Sequence, residues 1–532
     1  LPYQNMKSTK TLITLVLVLG FISRIIFIGQ FPPSLNWDEV SHGYNAYSIL
    51  KTGHDEWGMF LPTIFRCYGD FKLPVYIYST ILPILFFGLN SLSVRFISIL
   101  SGSLTPLIIF LILKKLTPHQ KILPFIGLLI TAFSPGTIFI SRIALEANLF
   151  MFLFCLSFYF LISHKFGWSS FIFSLCLFTY NSSRVLLPFY LLSLIFLVFK
   201  TKFNLKKHFL VFIPFILFSG LTLFQTLNQS GQARYQWVSI LDSGSINRIN
   251  ELRQIYPRLL VNKVTYFSFN AAKNYLSHFN PEFLFFSGGS NYQFSLPNFY
   301  LISPLLIPFL ILGLIYLFKN KKQPYLLLLL FWFLASPIPS AITRDAPHVL
   351  RSIIFIPITI LIISLGFNFA LTKFKSLPIF YTLISLIVGQ FFFWPKYIEY
   401  SQNYSSSWQY GYQQAIDYIK NHYQGYDQII ITKKYGEAHE FLLFYWPWNP
   451  QNYQTDSSKN WDYHATWYWV NAFDKFKFIN DWEIKDYTQN IKQDQKTLLI
   501  TSPNNYNQSN TKHLETINFL NNTPVFEILE IK

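Results

Sequence analysis

Charged residues are scarce in this sequence of 532 residues: 13% are Asp, Glu, Lys or Arg, whereas 52% are hydrophobic. A chain with so few charges has too little polar surface to cover its apolar side chains in water, which excludes an ordinary soluble protein. The apolar residues form blocks such as 11–28, 122–140 and 377–394, each near the roughly 20 residues that a helix needs to cross a bilayer. The sequence therefore predicts a polytopic α-helical membrane protein.

Cysteine is rare as well, with only Cys67, Cys155 and Cys176. Their spacing matches no metal-binding motif and two of them lie within apolar blocks, so neither a zinc finger nor a disulfide framework is predicted. Acidic residues number 25 against 42 Lys and Arg, for a net charge of +17. The lysines fall in short runs between apolar blocks, which is typical of cytoplasmic loops and does not indicate a nucleic-acid partner. These runs are at 114–115, 200–207, 319–322 and 373–375.

The lysine runs also predict the topology. Placing them in the cytoplasm gives about eleven spans, with block 11–28 as an uncleaved first helix and with 31–93 and 225–298 as outer loops of a plasma-membrane protein. Segment 73–89 is apolar, but it is short and contains two prolines, so we expect it to lie in the outer interface. A true crossing by this segment is the alternative.

The last part of the chain has a different composition. From residue 396 onwards it is polar and aromatic, with an amphipathic helix predicted at 408–423. Strands are predicted at 428–432, 497–501 and 525–531. We therefore expect a spanning domain, 1–395, followed by a small extracytoplasmic α/β domain, 396–532.

The first outer loop is unusually acidic for so basic a protein. Asp38 and Glu39 precede a helix at 40–52 that Gly53 ends, and Asp70 and Lys72 lie at the far end of the loop. Carboxylates at a helix start can act simply as caps that interact with the helix dipole, worth about 0.3–1 kcal/mol, and that alternative stays open.

The same loop contains a series of short motifs. In order, they are Trp37-Asp38-Glu39, a Tyr-Ala helix, Gly69-Asp70-Phe71-Lys72-Leu73-Pro74, Gly88 and Val94-Arg95. In these motifs the sequence resembles the protein O-mannosyltransferase and aminoarabinose transferase group, which are membrane glycosyltransferases of the GT-C class. The resemblance extends over the spanning domain and is strongest near its start. The chain departs from it at Leu73, where many relatives have proline.

The resemblance implies a GT-C-like fold and an inverting transfer of sugar from a polyprenyl-phosphate donor to a glycan, lipid or protein acceptor on the outer face. It aligns Asp38, with Glu39 beside it, with the catalytic aspartate of the family, so Asp38 is the predicted general base. It aligns Lys72 with the lysine that binds the donor phosphate, and Arg95 is a second phosphate candidate. For Arg95, anchoring at the membrane interface is the alternative.

Five residues in or near the outer turns are candidates for substrate binding. Asp70 lies beside Lys72. Arg142 and Glu146 are four apart, so we expect them on one helix face, where a plain ion pair is the alternative reading. The resembling families also have an acidic residue near Glu146. Tyr180 and Arg184 lie in another outer turn, where the cation is equally able to anchor the interface.

The sequence of the last outer turn predicts a phosphate-binding site, called here the phosphate cradle. Asp345 is expected to cap a helix that has Pro347 in its first turn, and a helix amino terminus favours an anion. Arg344, His348 and Arg351 would surround that terminus. Arginines at the end of a span are also common interface anchors, and this alternative stays open.

The sequence leaves the metal content and two rival functions undecided. Asp38, Asp70, Glu146 and His348 could bind a divalent metal ion, but none has diagnostic spacing and no cofactor is required. A transporter would be expected to have polar groups midway through broken helices. A non-catalytic protein that binds lipid-linked glycans is the second rival, and an O-antigen-ligase-type enzyme lies between the two. The ionisable residues at outer span ends favour the glycosyltransferase.

Overall fold

The computed structural model describes residues 2–203, 209–228, 235, 237–374, 377–491, 494–506 and 511–531. The predicted cytoplasmic lysine runs at 200–207 and 373–375 lie partly outside these described residues.

The helices are α1 Pro2–Ile25, α2 Trp37–Thr52, α3 Pro74–Phe87, α4 Ser91–Leu116, α5 Ile122–Phe133, α6 Pro135–Ser141, α7 Glu146–Ile162, α8 Phe166–Leu177, α9 Ser182–Lys200, α10 Ile213–Leu227, α11 Ser243–Leu252, α12 Lys263–Ser277, α13 Pro281–Phe285, α14 Ile307–Lys319, α15 Pro324–Ala335, α16 Ile338–Ala341, α17 Phe355–Phe374, α18 Leu377–Asn403, α19 Tyr412–His422, α20 Ala438–Tyr445, α21 Pro450–Thr455 and α22 Asp481–Gln489. The strands are β1 Phe65–Cys67, β2 Asp70–Lys72, β3 Gln428–Thr432, β4 Asn460–His464, β5 Trp467–Phe473, β6 Phe476–Ile479, β7 Thr497–Thr501, β8 Thr511–Asn518 and β9 Pro524–Ile531.

The chain divides into two compact units. Unit 1 consists of 1–26 and 98–395, and unit 2 consists of 27–97 and 396–532. One break between the units falls after residue 395, and the first outer loop groups with the carboxyl-terminal part of the chain. One reason is that Gly43 on α2 lets α20 approach closely, because a Cβ at that position would lie 2.5 Å from the ring of Phe444. The predicted division into a spanning domain and an extracytoplasmic domain stays a prediction.

Unit 1 is helical and contains all or most of each candidate membrane-spanning helix. In the described residues, four helices are long and apolar enough to cross a bilayer: Ser91–Leu116, Ser182–Lys200, Pro324–Ala341 and Pro378–Asn403. The pair α5 and α6, bent by 53°, is a fifth candidate. The predicted multi-pass membrane protein is thus confirmed. The count of about eleven spans stays a prediction, because several apolar helices have only 10–17 residues.

The bend between α5 and α6 has a specific cause. Pro135 lacks an N–H, so the carbonyl of Thr131 loses its helical partner. Thr137 Oγ1 donates to that carbonyl at 2.8 Å, and Arg24 Nη2 does so at 3.4 Å. Arg24 Nη1 also donates to the carbonyl of Ala132 at 2.9 Å. A buried arginine and a threonine therefore satisfy the backbone groups that the break exposes.

Helices α14 and α17 of unit 1 cross with their backbones in contact. A Cβ on Gly366 would lie 1.9 Å from the carbonyl oxygen of Phe309, and one on Gly313 would lie 2.0 Å from that of Ile362. Small residues at such crossings are typical of helix packing in membranes.

Unit 2 contains a seven-stranded mixed sheet in the order β4-β5-β6-β3-β7-β9-β8. Strand β3 is parallel to both β6 and β7, and the other neighbours are antiparallel. All five residues of β3 are buried, which fits its continuous run of isoleucines at the centre of the sheet. Helix α19 packs on α20 through the stacked rings of Tyr412 and Phe441, 4.2 Å apart. The predicted α/β layer is present, and its position outside the cytoplasm stays a prediction.

Helix α3, also in unit 2, corresponds to the segment predicted to lie in the interface. It has 14 residues, so its length of about 21 Å is less than the roughly 30 Å of the hydrocarbon core. Leu82, Leu85 and Phe86 are exposed on it. These features support an interfacial helix, which stays a prediction.

Candidate active site

Helix α2 presents the acidic pair of the first loop. Its N-cap is Asn36, whose side chain accepts from the Glu39 N–H at 3.0 Å, while Glu39 Oε2 accepts from the Asn36 N–H at 3.1 Å. This capping box starts the helix at Trp37, three residues earlier than the sequence predicted. Gly53 ends the helix, as predicted, in the left-handed conformation with φ of 73°.

Asp38 and Lys72, the predicted base and phosphate ligand, are direct partners. Lys72 lies on β2 of a short hairpin, and its Nζ is 2.6 Å from Asp38 Oδ1. The Asp38 side chain is 37% exposed, so it is accessible to a substrate, whereas that of Lys72 is only 10% exposed. Asp70 is on the same strand, and its Oδ1 accepts from the N–H of Phe71 at 2.7 Å. The structure thus brings together three residues predicted from the first loop.

Arg95 and Glu39 form a buried, bidentate ion pair. Arg95 Nε donates to Glu39 Oε1 at 2.8 Å and Nη2 donates to Oε2 at 3.0 Å. Its remaining N–H groups donate to the carbonyls of Ile28, Pro32 and Ser34. Because a guanidinium has five N–H donors, all of them are engaged within unit 2. Phosphate binding by Arg95 stays a prediction, and its contacts are those of a residue that positions α2.

Three aromatic rings form a cluster at Trp37, the residue that precedes Asp38. Tyr68 and Trp467 are stacked, with centroids 5.6 Å apart, and the Tyr68 hydroxyl donates to the carbonyl of Trp37 at 2.7 Å. The Trp37 ring is 6.4 Å from that of Trp467. The Trp37 and Trp467 side chains are half-buried, so part of each ring is accessible.

In unit 1, three other predicted residues line one cavity. Tyr180, Arg184 and Arg351 are among the lining residues of a space of about 180 Å³. Arg184 Nη2 donates to Gln225 Oε1 at 2.9 Å, and Arg351 Nη1 donates to Thr343 Oγ1 at 2.8 Å. Two cations beside a tyrosine hydroxyl are suited to an anionic ligand.

The prediction of a helix capped by Asp345 is wrong, because the next long helix, α17, begins only at Phe355. The intervening backbone is bonded to another segment instead: Thr343 forms a bridge with Ser239, and the Arg344 N–H donates to the Val238 carbonyl at 3.0 Å. A helix amino terminus therefore does not form the predicted cradle.

The three residues predicted to form that cradle have separate contacts. Arg344 Nη1 lies 3.3 Å from Asp242 Oδ2. Arg351 Nη2 lies 3.6 Å from Asp345 Oδ2. The His348 ring packs on that of Phe294, with centroids 5.5 Å apart. Of the three, Arg351 is the one that lines the cavity in unit 1.

The expectation that Arg142 and Glu146 share a helix face is also wrong. Helix α6 ends at Ser141 and α7 begins at Glu146, because Leu145 is extended. The Arg142 guanidinium is buried and lies over the Trp394 ring at 5.3 Å. Glu146 is half-buried in the first turn of α7. A role for either residue in substrate binding stays a prediction.

The sequence analysis missed one cluster in unit 2. Glu56, His439 and Glu440 each have a donor atom within 4.8 Å of the others, and all three side chains are buried. Burial raises the pKa of Glu56 to about 7 and raises the pKa of Glu440 as well, whereas burial lowers the pKa of His439 to about 3. In the sequence, the adjacent pair His439-Glu440 at a helix start could have indicated this cluster. The predicted metal candidates Asp38, Asp70, Glu146 and His348 do not form such a group among the described residues.

Comparisons with known proteins agree on one group. Residues 14–210 match the family model for dolichyl-phosphate-mannose-protein mannosyltransferase, a range that includes Asp38, Lys72 and Arg184. A search of curated proteins finds no match.

Two solved structures are similar to the chain along almost its whole length. The crystal structure of ArnT from Cupriavidus metallidurans bound to undecaprenyl phosphate has a TM-score of 0.53 and 10% identity, covering 98% of both chains. The apo structure of the same protein has a TM-score of 0.46 and 12% identity, covering 99% of this chain and 98% of that chain. The first likeness shows a common fold. The predicted resemblance to the GT-C group of mannosyltransferase-like membrane glycosyltransferases is therefore confirmed.

Proposed function

We propose that this protein is an inverting glycosyltransferase that moves a sugar from a polyprenyl-phosphate donor to an acceptor at the outer membrane face. The observation that carries the proposal is the contact between Asp38 and Lys72, 2.6 Å apart. The resemblance in sequence motifs implies that the two residues are the base and the phosphate ligand, and both lie within residues 14–210, which match the family model. The acceptor class, whether glycan, lipid or protein, is open.

The reaction needs one proton acceptor and one anion ligand. The acceptor hydroxyl oxygen attacks the anomeric carbon, its proton passes to an Asp38 carboxylate oxygen, and the bond from that carbon to the phosphate oxygen breaks. The electron pair of the broken bond stays on the lipid phosphate, whose added charge Lys72 stabilises. Attack from the face opposite the phosphate inverts the anomeric centre.

The contact between Lys72 and Asp38 has a consequence for substrate binding. Lys72 Nζ lies at hydrogen-bond distance from Asp38 Oδ1. A donor phosphate that takes the ammonium as its own partner leaves the Asp38 oxygen free for the acceptor hydroxyl. Donor binding would thus prepare the base, and we expect donor to bind before acceptor.

Other parts of the protein have surfaces suited to the remaining parts of the donor and acceptor. The apolar helices of unit 1 are suited to a polyprenyl chain, and a fold shared with a protein crystallised with undecaprenyl phosphate supports that assignment. The half-buried rings of Trp37 and Trp467 are suited to the apolar face of a sugar. Arg184 and Arg351 are candidates for a further anionic group of a substrate.

The test is release of polyprenyl phosphate from a panel of polyprenyl-phosphate sugars, supplied to membranes that contain the protein together with its acceptor. We expect Asp38→Asn to lower kcat by about 10²–10⁴-fold, the usual effect of losing a general base. The matched control is Asp462→Asn, which removes an exposed carboxylate from β4 of the same unit. If Asp38→Asn keeps a rate within about threefold of the control, the assignment of the base is wrong.

A further inference from the structure

We propose that Glu56, His439 and Glu440 bind a divalent transition-metal ion of the zinc class, which ties the first loop to the carboxyl-terminal part of unit 2. Glu56 comes from the loop after α2, whereas the other two residues are in the first turn of α20. Their donor atoms all lie within 4.8 Å of one another. This site is separate from the proposed transfer reaction and does not depend on it.

Unsatisfied acceptors converge on this position. Oε2 of Glu56 and Oε2 of Glu440 are buried and have no hydrogen-bond partner among the described residues. Glu56 Oε1 accepts from Asn45 Nδ2 at 2.9 Å, and Ser41 is a hydrogen-bonding neighbour of Glu440. One proton shared between the two carboxyl groups would leave one negative charge buried, whereas a divalent cation is a partner for both oxygens and balances both charges.

The imidazole of His439 is oriented for such a role. Its Nδ1 lies 3.4 Å from Glu437 Oε2, and its Nε2 lies 4.0 Å from Glu440 Oε1. Trp467 Nε1 donates to the other oxygen of Glu437, which fixes that carboxylate. A histidine whose second nitrogen faces a carboxylate is the usual arrangement around a bound metal, because it sets the tautomer and the ring orientation.

Lys459, which contacts the backbone of Glu56, does not replace the cation. Lys459 Nζ donates to the backbone carbonyl of Glu56 at 3.2 Å and lies 4.0 Å from the centre of the Tyr453 ring. The ammonium is attracted by the charge of Glu56, but its direct contacts are a carbonyl and a ring, and it forms no ion pair within 4.0 Å with a carboxylate among the described residues. One imidazole nitrogen with two carboxylates favours zinc over magnesium or calcium, which prefer ligands that are all oxygen.

The test measures metal content and thermal stability of the full chain, purified in detergent without chelator and with a tag that lacks histidine. We expect about one zinc per chain in the wild type, and a loss of at least about fivefold in Glu440→Gln and His439→Asn. The matched controls are Glu515→Gln and His464→Asn, which remove an exposed carboxylate and an exposed imidazole from the same unit. After treatment with EDTA, saturating Zn²⁺ should raise the Tm of the wild type by about 5–10 °C, and that of the two site variants hardly at all.

Three results would overturn the proposal. The first is wild-type protein that has no stoichiometric zinc and whose Tm does not respond to Zn²⁺, which would mean that the carboxyl groups share a proton instead. The second is zinc content that is equal in the wild type and the site variants. The third is zinc loss in the control variants as large as in the site variants. If a site variant does not fold, the EDTA and Zn²⁺ response of the wild type alone decides the question.

Discussion

Replacing Glu39 by glutamine tests whether this residue, predicted as catalytic, mainly holds α2 in place. The substitution keeps the shape of the side chain but removes its charge and turns one acceptor into an NH₂ donor. That donor would face the guanidinium of Arg95, which is already a donor. Since the two side chains are only 0% and 1% exposed, water cannot compensate for the mismatch.

The expected cost follows from this burial. Removing one partner of a buried ion pair leaves an uncompensated charge and typically costs about 3–5 kcal/mol. In a unit of roughly 150–250 residues, each kcal/mol lowers Tm by about 2–4 °C, so the decrease should be about 6–20 °C. Because the unfolding of membrane proteins in detergent is commonly irreversible, the comparison holds only at one fixed scan rate.

A double variant separates position from chemistry. Glu39→Met with Arg95→Met removes both charges and keeps similar volume, so it should recover most of the lost Tm. If Glu39 acts only by holding α2, transfer activity should return as well. A stable double variant without activity would mean that Glu39 takes part in the reaction. An unchanged Tm in the single variant would refute the reasoning from burial.

Three further predictions concern other parts of the chain. Lys72→Met should raise the KM for the donor by about 10- to 100-fold, because one hydrogen bond to a charged group is lost. Lys72→Arg should keep much of the affinity. Equal KM values for wild type and Lys72→Met would contradict this prediction. Gly436→Ala should lower the Tm, because Gly436 has a φ of 111° and a Cβ there would lie 2.4 Å from the Trp37 ring. The control is Gly425→Ala, because there is open space around Gly425. Gly366→Leu should reduce the yield of folded protein, because its Cβ would meet a carbonyl oxygen at 1.9 Å, whereas Gly220→Leu should not.

Local sequence patterns were sufficient for several elements of unit 2. Strands at 428–432 and 497–501 form at the predicted bounds, and the third predicted strand is one residue longer, at Pro524–Ile531. The amphipathic helix predicted at 408–423 forms as Tyr412–His422. Hydrophobic alternation and continuous apolar runs identify such segments because each depends on burial of its own residues.

Other features depend on contacts that a local pattern does not contain. Arg95 donates to the backbone carbonyls of Ile28, Pro32 and Ser34. Because every residue has a backbone carbonyl, the sequence does not indicate which ones Arg95 contacts. Glu56 and His439 are far apart in the sequence and meet only because the first loop packs with the carboxyl-terminal segment. The helix expected at Asp345 fails for the same reason, because its backbone groups bond to a distant segment.

The adjacent residues Asp38 and Glu39 illustrate how one local motif divides between structure and chemistry. Successive residues of a helix point about 100° apart, and in α2 this separation directs the two carboxylates to different surroundings. Glu39 faces inward, where the capping box and Arg95 engage both of its oxygens. Asp38 is directed to the accessible side, where Lys72 is its partner. The contacts of Glu39 therefore fix the helix start from which Asp38 projects, and the proposed base would need little backbone reorganisation when a hydroxyl arrives.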